Sequence, residues 1–160
     1  MITAVTKSAD DTRDLGASLA SLARPGDVIL LSGDLGAGKT TLAQGFGRGL
    51  GVAEPIVSPT FVLVRSYEGR LPLVHCDVYR LDHFQEVIEL DLPELLDEGA
   101  VALVEWGDVI APSLPANFLE VCIELTDADE VRRLSVRAVG SSWGQRLGSV
   151  QGAVERWQSP

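Results

Sequence analysis

Two uninterrupted apolar runs, at residues 28–31 and 101–104, are the clearest pattern along the chain. Short apolar runs bounded by polar or glycine residues are typical of strands covered on both faces of a sheet. Alternating apolar and polar positions predict further strands at residues 2–6, 61–67, 73–79, 118–125 and 131–139. Glu68, Gly69 and Arg70 fit a turn between two of these segments, which predicts an antiparallel hairpin.

Helical periodicity lies between the predicted strands. Ser8, followed three residues later by Asp11, predicts the start of a helix that continues to about residue 23. The apolar face of that helix consists of Leu15, Leu19, Leu22 and Ala23. A second helix is predicted to end near Leu50, because Gly51 fits a C-terminal cap.

The rest of the chain completes this alternation of strands and helices. Residues 82–98 predict two short helical pieces broken near Pro93, and residues 141–157 predict a final helix. Helices alternating with strands around two buried strands predict an α/β fold. We expect a three-layer sandwich with a mixed, mostly parallel sheet and an antiparallel hairpin. The length of 160 residues suits a single domain, assigned to residues 1–140, with a C-terminal helical tail at 141–160.

Residues 33–40 read GDLGAGKT, the G-x-x-x-x-G-K-[ST] spacing of a phosphate-binding loop. The loop joins a predicted strand to a predicted helix, so the fold is expected to be P-loop NTPase-like. Backbone N–H groups of such a loop surround an anion at a helix N-terminus, Lys39 reaches the outer phosphates, and the Thr40 hydroxyl binds Mg²⁺. The alternative is a glycine turn with a solvated lysine. The predicted nucleotide contacts are Gly33, Asp34, Leu35, Gly36, Ala37, Gly38, Lys39, Thr40 and Thr41.

Acidic residues at strand ends are candidates for metal binding and catalysis. Glu105 directly follows the apolar run 101–104, as a Walker-B carboxylate does, and Asp77 ends another predicted strand. Either one has the alternative of being an ordinary solvated residue at a strand end. Alternation places His75 and Tyr79 on the same face as Asp77. For His75 a hydrogen-bonded structural role is favoured over a catalytic one.

Three further residues have possible roles because of their positions. Thr60 lies between the second helix and the next strand, where GTPases place a γ-phosphate sensor, although it also fits a simple turn after proline. Trp106 follows Glu105 and fits either a place over the nucleotide or the core. Arg80 could reach phosphates, but pairing with Asp77 is favoured.

Missing motifs narrow the choice of nucleotide and reaction. The chain has no N-K-x-D and no D-x-x-G, so guanine specificity has no visible basis and ATP is preferred. Residues 107–130 contain no arginine, which disfavours a small-molecule kinase with an arginine-bearing lid. A nucleotide-gated binding module, in which hydrolysis is incidental, remains an alternative to an ATPase.

Charge and composition limit the partners. The net charge is −10, and the basic residues are scattered apart from Arg132 and Arg133, so the chain as a whole should attract nucleic acid poorly. Cys76 and Cys122 lack metal-type spacing and are predicted to be reduced core thiols. No signal peptide or membrane span is apparent, so a cytoplasmic location is expected.

With these motifs placed, residues 8–137 resemble the TsaE (YjeE) family of bacterial P-loop ATPases. The resemblance depends on GDLGAGKTT at 33–41, SPTF at 58–61, HCDVYRL at 75–81 and VEW at 104–106. The first motif occurs in many NTPases, whereas SPTF combined with H-x-D-x-Y-R-L is specific to this family. Family members often have proline and glutamate after the tryptophan, where this chain has Gly107 and Asp108, so the turn that follows Trp106 departs from the family pattern.

The resemblance implies a role in forming N6-threonylcarbamoyladenosine at tRNA position 37, together with the TsaD–TsaB pair and with tRNA reached through that complex. It implies that Lys39 contacts the β- and γ-phosphates, that Thr40 and Glu105 hold Mg²⁺, and that Asp77 positions or activates water. It also implies that Thr60 belongs to a switch-like loop and that Trp106 lies beside the nucleotide.

Overall fold

The computed structural model describes residues 1–34, 36–57, 64–77, 92–105 and 116–158. The strands in these ranges are β1 (Ile2–Thr6), β2 (Val28–Gly33), β3 (Val64–Tyr67), β4 (Leu73–Asp77), β5 (Val101–Glu105), β6 (Phe118–Leu125) and β7 (Arg132–Val139). Together they form a 7-stranded sheet in the order β1-β7-β6-β2-β5-β4-β3. The sheet is parallel in the middle, where β6, β2, β5 and β4 are neighbours, and antiparallel toward both edges. The predicted mixed sheet and the hairpin of β3 and β4 are confirmed.

The helices are α1 (Ala9–Ala20), α2 (Lys39–Gly49), α3 (Leu92–Asp97), α4 (Ser141–Gly144) and α5 (Leu147–Val154), followed by a 3₁₀ turn, Glu155–Trp157. The start of α1 is as predicted: the Ser8 hydroxyl accepts from the Asp11 N–H at 3.0 Å. Gly51 follows α2 with a φ of +85°, which confirms its capping role. The α1 helix ends at Ala20, three residues earlier than about residue 23.

One further sequence prediction needs correction. The final helix predicted for residues 141–157 is divided into α4 and α5. Arg146 lies between them, and its side chain makes a buried pair with Asp27 at 2.7 and 2.8 Å. At the hairpin, pairing ends at Tyr67 and Leu73, where the two predicted strands meet the turn. Residues 61–63 and 78–91, which include parts of the predicted strands and the first predicted helical piece, lie outside the described residues. The second predicted helical piece is α3, which has Pro93 in its first turn.

The sheet separates two apolar cores and so forms the middle of three layers. On one face, α1, α2 and the C-terminal helices cover alternate residues of the central strands, such as Leu31 and Leu103. On the other face, α3 covers the intervening residues, such as Leu30 and Val104. This alternation matters for the site, because a side chain at position 105 shares the face of Leu103 and therefore the face of α2.

Glycines bring α1 and α2 into close contact. A Cβ added to Gly45 would lie 1.9 Å from the backbone oxygen of Arg13, and one added to Gly16 would lie 2.4 Å from that of Leu42. Backbones approach this closely only where no side chain separates them. The contact fixes α2, and with it the loop at the N-terminus of α2, against the first helix.

The C-terminal segment packs on the same face as α1. Trp143, Val150, Val154 and Trp157 belong to the core that includes Leu15 and Leu19. The Trp157 indole N–H donates to the Asp11 carboxylate at 2.6 Å. The division of the chain near residue 140 stays a prediction. Among the described residues, no helix has the length and apolar character needed to cross a membrane.

Candidate functional site

Three positions of the loop between β2 and α2 require glycine, for different structural reasons. Gly33 lies beside β6, and a Cβ there would come within 2.4 Å of the Ile123 backbone oxygen. Gly36 and Gly38 have φ angles of +81° and +113°, which only glycine adopts easily. A Cβ built on either of them meets nothing within 4 Å among the described atoms, so these two residues border open space.

The N-terminus of α2 is available to an anion. Gly38 is the N-cap, no described side chain caps its orphan N–H groups, and the first turn contains no acidic residue. Uncapped N–H groups at the positive end of a helix are a ready-made anion site. The helix begins at Lys39, directly after the glycine loop, so the local geometry suits a phosphate.

Lys39, Thr40 and Thr41 form the first turn of α2. The Lys39 ammonium donates to the Gly33 backbone oxygen at 2.8 Å and is largely buried, which closes the loop on itself. Thr40 and Thr41 are half-buried, and Asp34 is exposed. The Asp34 backbone oxygen accepts from the Ala37 N–H at 3.0 Å, so its main chain shapes the turn. Leu35 lies outside the described residues.

The two predicted carboxylates lie side by side at the ends of neighbouring strands. Asp77 of β4 and Glu105 of β5 are register partners, and Leu31 of β2 is the partner of Glu105 on its other side. Glu105 therefore lies two residues before the level of Gly33, on the sheet face that α2 covers. The arrangement brings both acids to the edge of the sheet from which the loop leaves.

His75 is bound to Glu105. Its Nε2 lies 3.0 Å from Glu105 Oε2, and the two side chains are 0% and 3% exposed. An ionised carboxylate only accepts, so in that state Nε2 carries the proton and donates. His75 Nδ1 is buried and has no hydrogen-bond partner among the described residues. The contact orients the carboxylate of Glu105, which supports the structural role preferred for His75.

Cys76 lies between His75 and Asp77 in sequence but points to the opposite face of the sheet. Burial first, and then the neighbouring negative charge of Asp77, together raise the pKa of its thiol to about 12. A thiol with so high a pKa is inert at neutral pH. Both cysteines are free, and Cys122 is only half-buried, so it is less enclosed than a core thiol.

A pocket of about 260 Å³ opens beside the loop. Gly36, Ala37, Gly38 and Thr41 form one wall, and Ala9 and Thr12 at the start of α1 form another. The remaining wall consists of Asp129, Glu130 and Arg132 from the turn between β6 and β7 and the start of β7. The residues outside the loop were not singled out from the sequence, because their proximity to it depends on the pairing of distant strands.

Some predicted site residues belong to other parts of the chain. Thr60, Arg80 and Trp106 lie outside the described residues, as do the whole of SPTF at 58–61 and residues 78–81 of HCDVYRL. Their roles stay predictions. The described site therefore consists of the loop, the first turn of α2, the two strand-end acids with His75, and the pocket.

The donors present suit a magnesium ion bound mainly by its substrate. Among the described residues, no group of three or more His, Cys, Asp or Glu side chains could enclose a metal. Mg²⁺ prefers hard oxygen ligands and is commonly held by one or two protein groups together with phosphates and water. A threonine hydroxyl and a carboxylate fit that requirement.

Comparison with known proteins gives a consistent picture. The family model for threonylcarbamoyl adenosine biosynthesis protein TsaE matches residues 6–134. Curated proteins named tRNA threonylcarbamoyladenosine biosynthesis protein TsaE are similar to this chain. The one from Bacillus subtilis is 41% identical over 139 residues, covering 86% of both chains. The one from Nostoc is 48% identical over 130 residues, covering 78% of this chain and 77% of its own.

A solved structure shares the whole architecture. The crystal structure of Bacillus subtilis YdiB superposes with a TM-score of 0.81 and 34% sequence identity, over 94% of each chain. The likeness extends beyond residue 134, where the family match ends.

Proposed function

Because this chain belongs to the TsaE family of threonylcarbamoyl adenosine biosynthesis proteins, we propose that it is the ATP-binding and ATP-hydrolysing component of that pathway. Membership gives the coarse role, in tRNA threonylcarbamoyladenosine biosynthesis. The finer proposal is a Mg²⁺-dependent ATPase, weak alone, that works in the cytoplasm with a TsaD–TsaB pair and contacts tRNA through that complex.

The observation that carries the proposal is the uncapped N-terminus of α2 under a glycine loop. Such a loop has backbone N–H groups as its main donors, and Lys39 adds a cation at its base. Both features match the dense negative charge of a polyphosphate. The adjoining pocket of about 260 Å³ is the place for the nucleoside end.

The chain's own residues divide the work of hydrolysis. Loop N–H groups and Lys39 orient the phosphates, and Thr40 and Glu105 would hold Mg²⁺, which when bound neutralises charge on phosphate oxygens. The hydrogen bond from His75 holds the Glu105 carboxylate in one orientation. Asp77, beside Glu105 in the sheet, is the candidate to accept a hydrogen bond from the attacking water and hold it in line.

Weak activity of the isolated chain follows from the arginines at the site. Arg132 is the arginine among the described residues lining the pocket, and its guanidinium is hydrogen bonded to backbone oxygens. Phosphoryl transfer is strongly accelerated when a free arginine meets the developing charge. A partner protein is therefore expected to supply the free arginine that the described residues of the pocket do not provide.

The test is ATP turnover with and without purified TsaD–TsaB, for the wild type and for Lys39→Ala, Asp77→Asn and Glu105→Gln. We expect stimulation of the wild type by the pair, loss of nucleotide binding in Lys39→Ala, and retained binding without turnover in the two acid variants. Arg137→Gln, on an exposed part of β7, is the matched control. Absence of stimulation, together with normal tRNA modification in a deletion strain, contradicts the proposal.

The same variants separate the alternatives. If Asp77→Asn and Glu105→Gln bind ATP without turnover and still support modification in cells, then nucleotide binding alone is the function. Labelled γ-phosphate that appears on a metabolite, and not as free phosphate, indicates a small-molecule kinase.

A further inference from the structure

Arg132, the first residue of β7, joins the β6–β7 turn to the phosphate-binding loop. Its Nε donates to the Ala37 backbone oxygen at 2.8 Å, across 95 positions of sequence. Its Nη1 donates to the backbone oxygens of Asp129 at 2.6 Å and Val131 at 3.1 Å. The guanidinium is thus held by its own turn and presents one edge to the loop.

The carbonyl that Arg132 binds lies at a critical point of the loop. Ala37 precedes the N-cap Gly38, so its oxygen takes no part in the α2 hydrogen-bond ladder, which begins with Leu42 N–H donating to Gly38 at 2.9 Å. The same peptide unit contains the Gly38 N–H. Because the unit is planar and trans, the oxygen and the N–H point in opposite directions. Fixing the oxygen therefore fixes the direction of the N–H.

We propose that Arg132 is a positioning residue: it locks the Ala37–Gly38 peptide so that the Gly38 N–H is preset for a phosphate. The proposal rests on the nucleotide-binding function above and deepens it. Glycine on both sides of Ala37 would otherwise let this peptide rotate at little steric cost. A preset donor binds its ligand more tightly because ordering does not oppose binding.

The neighbouring Arg133 is a natural control. It carries the same charge, lies one position further along β7 and is exposed, opposite Glu124 of β6. A change of Arg133→Gln alters the net charge as Arg132→Gln does, without touching the loop. Any effect common to both variants is electrostatic and long-range.

The first measurement uses the nucleotide-free protein. Hydrogen–deuterium exchange is followed in peptides covering residues 33–42 for the wild type, Arg132→Gln and Arg133→Gln. We expect at least about 10-fold faster exchange of loop amides in Arg132→Gln, matching the loss of a charged hydrogen bond, and wild-type exchange in Arg133→Gln. Unchanged exchange in Arg132→Gln overturns the proposal.

The second measurement separates positioning from direct contact. Calorimetry gives affinities for ADP and for adenosine. Arg132→Gln is expected to weaken ADP by about 10-fold and adenosine by less than about 2-fold. Equal weakening of both would mean that Arg132 acts through the nucleoside in the pocket that it lines and not through the loop, which also overturns the proposal.

The experiments still decide the question if Arg132→Gln does not fold or if the wild type binds no nucleotide. If Arg132→Gln does not fold, Arg132→Lys retains the charge but cannot donate from Nε and Nη1 together, so the same exchange and affinity changes are expected in smaller measure. If the wild type binds no nucleotide, the proposed function fails, while the exchange experiment still decides whether Arg132 fixes the loop.

Discussion

At the scale of single residues, the pair of His75 and Glu105 shows how a buried carboxylate is held in one orientation. Glu105 is 2% exposed, and a carboxylate so enclosed needs a partner to remain in one orientation. The His75 imidazole, 0% exposed, supplies it at 3.0 Å. The sequence placed both residues near the site, yet it could not show that one holds the other, because they are 30 positions apart.

This pairing predicts different stabilities for two substitutions of Glu105. Glu105→Gln retains an oxygen that accepts from His75, so the free energy of unfolding should change by less than about 1 kcal/mol. Glu105→Ala leaves the buried imidazole without its partner and should cost about 1–3 kcal/mol. Urea denaturation followed by circular dichroism measures both.

Glu120→Ala is the control, because Glu120 pairs with Arg137 on the surface and such pairs contribute little. Equal losses in Glu105→Gln and Glu105→Ala would show that the hydrogen bond to His75 has no energetic weight.

Cys76 predicts a falling stability at alkaline pH. Its folded pKa of about 12 lies above the ordinary value of 9.0, so the unfolded chain loses this proton first. The stabilisation is complete below about pH 9 and declines as pH rises toward the folded pKa, by up to about 1.4 kcal/mol per pH unit. Urea denaturation between pH 8 and pH 10.5 should show a steeper decline for the wild type than for Cys76→Ala. Parallel curves would exclude the thiol as the cause.

At the scale of elements, the crossing of α1 and α2 determines where the phosphate loop lies. The two helices approach so closely that glycines face backbone at the contact. Periodicity predicted both helices and the Ser8 cap, because these depend on residues within one or two turns. It did not predict the break at Arg146, where the side chain pairs with Asp27, 119 positions away.

Two glycine-to-alanine substitutions, one at the α1–α2 contact and one in the open part of α5, should have opposite effects on stability. Alanine favours a helix over glycine by about 0.5–1 kcal/mol where space allows. At Gly148 nothing lies within 4 Å of the new Cβ, so Gly148→Ala should stabilise by about that amount. At Gly45 the new Cβ would meet the Arg13 oxygen at 1.9 Å, so Gly45→Ala should destabilise by about 1–3 kcal/mol.

Thermal and urea denaturation of the two variants give the sign directly. Stabilisation by Gly45→Ala would mean that the helices separate without cost, and that the contact does not position α2.

At the scale of the whole molecule, charge and connectivity decide what the chain can do alone. The net charge of −10 opposes polyanions, although the loop itself offers N–H groups and Lys39 to a compact phosphate. The motif predicted the local geometry, in which a strand, glycines with positive φ and a helix follow one another, and the binding of a phosphate there stays a prediction. The β6–β7 side of the pocket could not be predicted, because Arg132 reaches Ala37 only after the sheet has assembled.

The charge predicts weak binding of free tRNA. In a gel-shift assay near physiological salt, the isolated chain should form no complex with tRNA at micromolar concentration, since few phosphates can be neutralised. Addition of TsaD–TsaB should bring it into a tRNA-containing complex. Tight, salt-sensitive binding by the chain alone would contradict this expectation.

The order of the strands has a consequence for folding during synthesis. In the described sheet, β1 pairs only with β7, and β2 lies between β5 and β6. The strand before the phosphate-binding loop, β2, therefore gains its second parallel partner only from residues 118–125. Trp143 and Trp157, which belong to the same core as Leu15 and Leu19 of α1, come later still. Nearly the whole polypeptide must therefore be synthesised before the loop can adopt its folded position, and folding is expected to be a single late event.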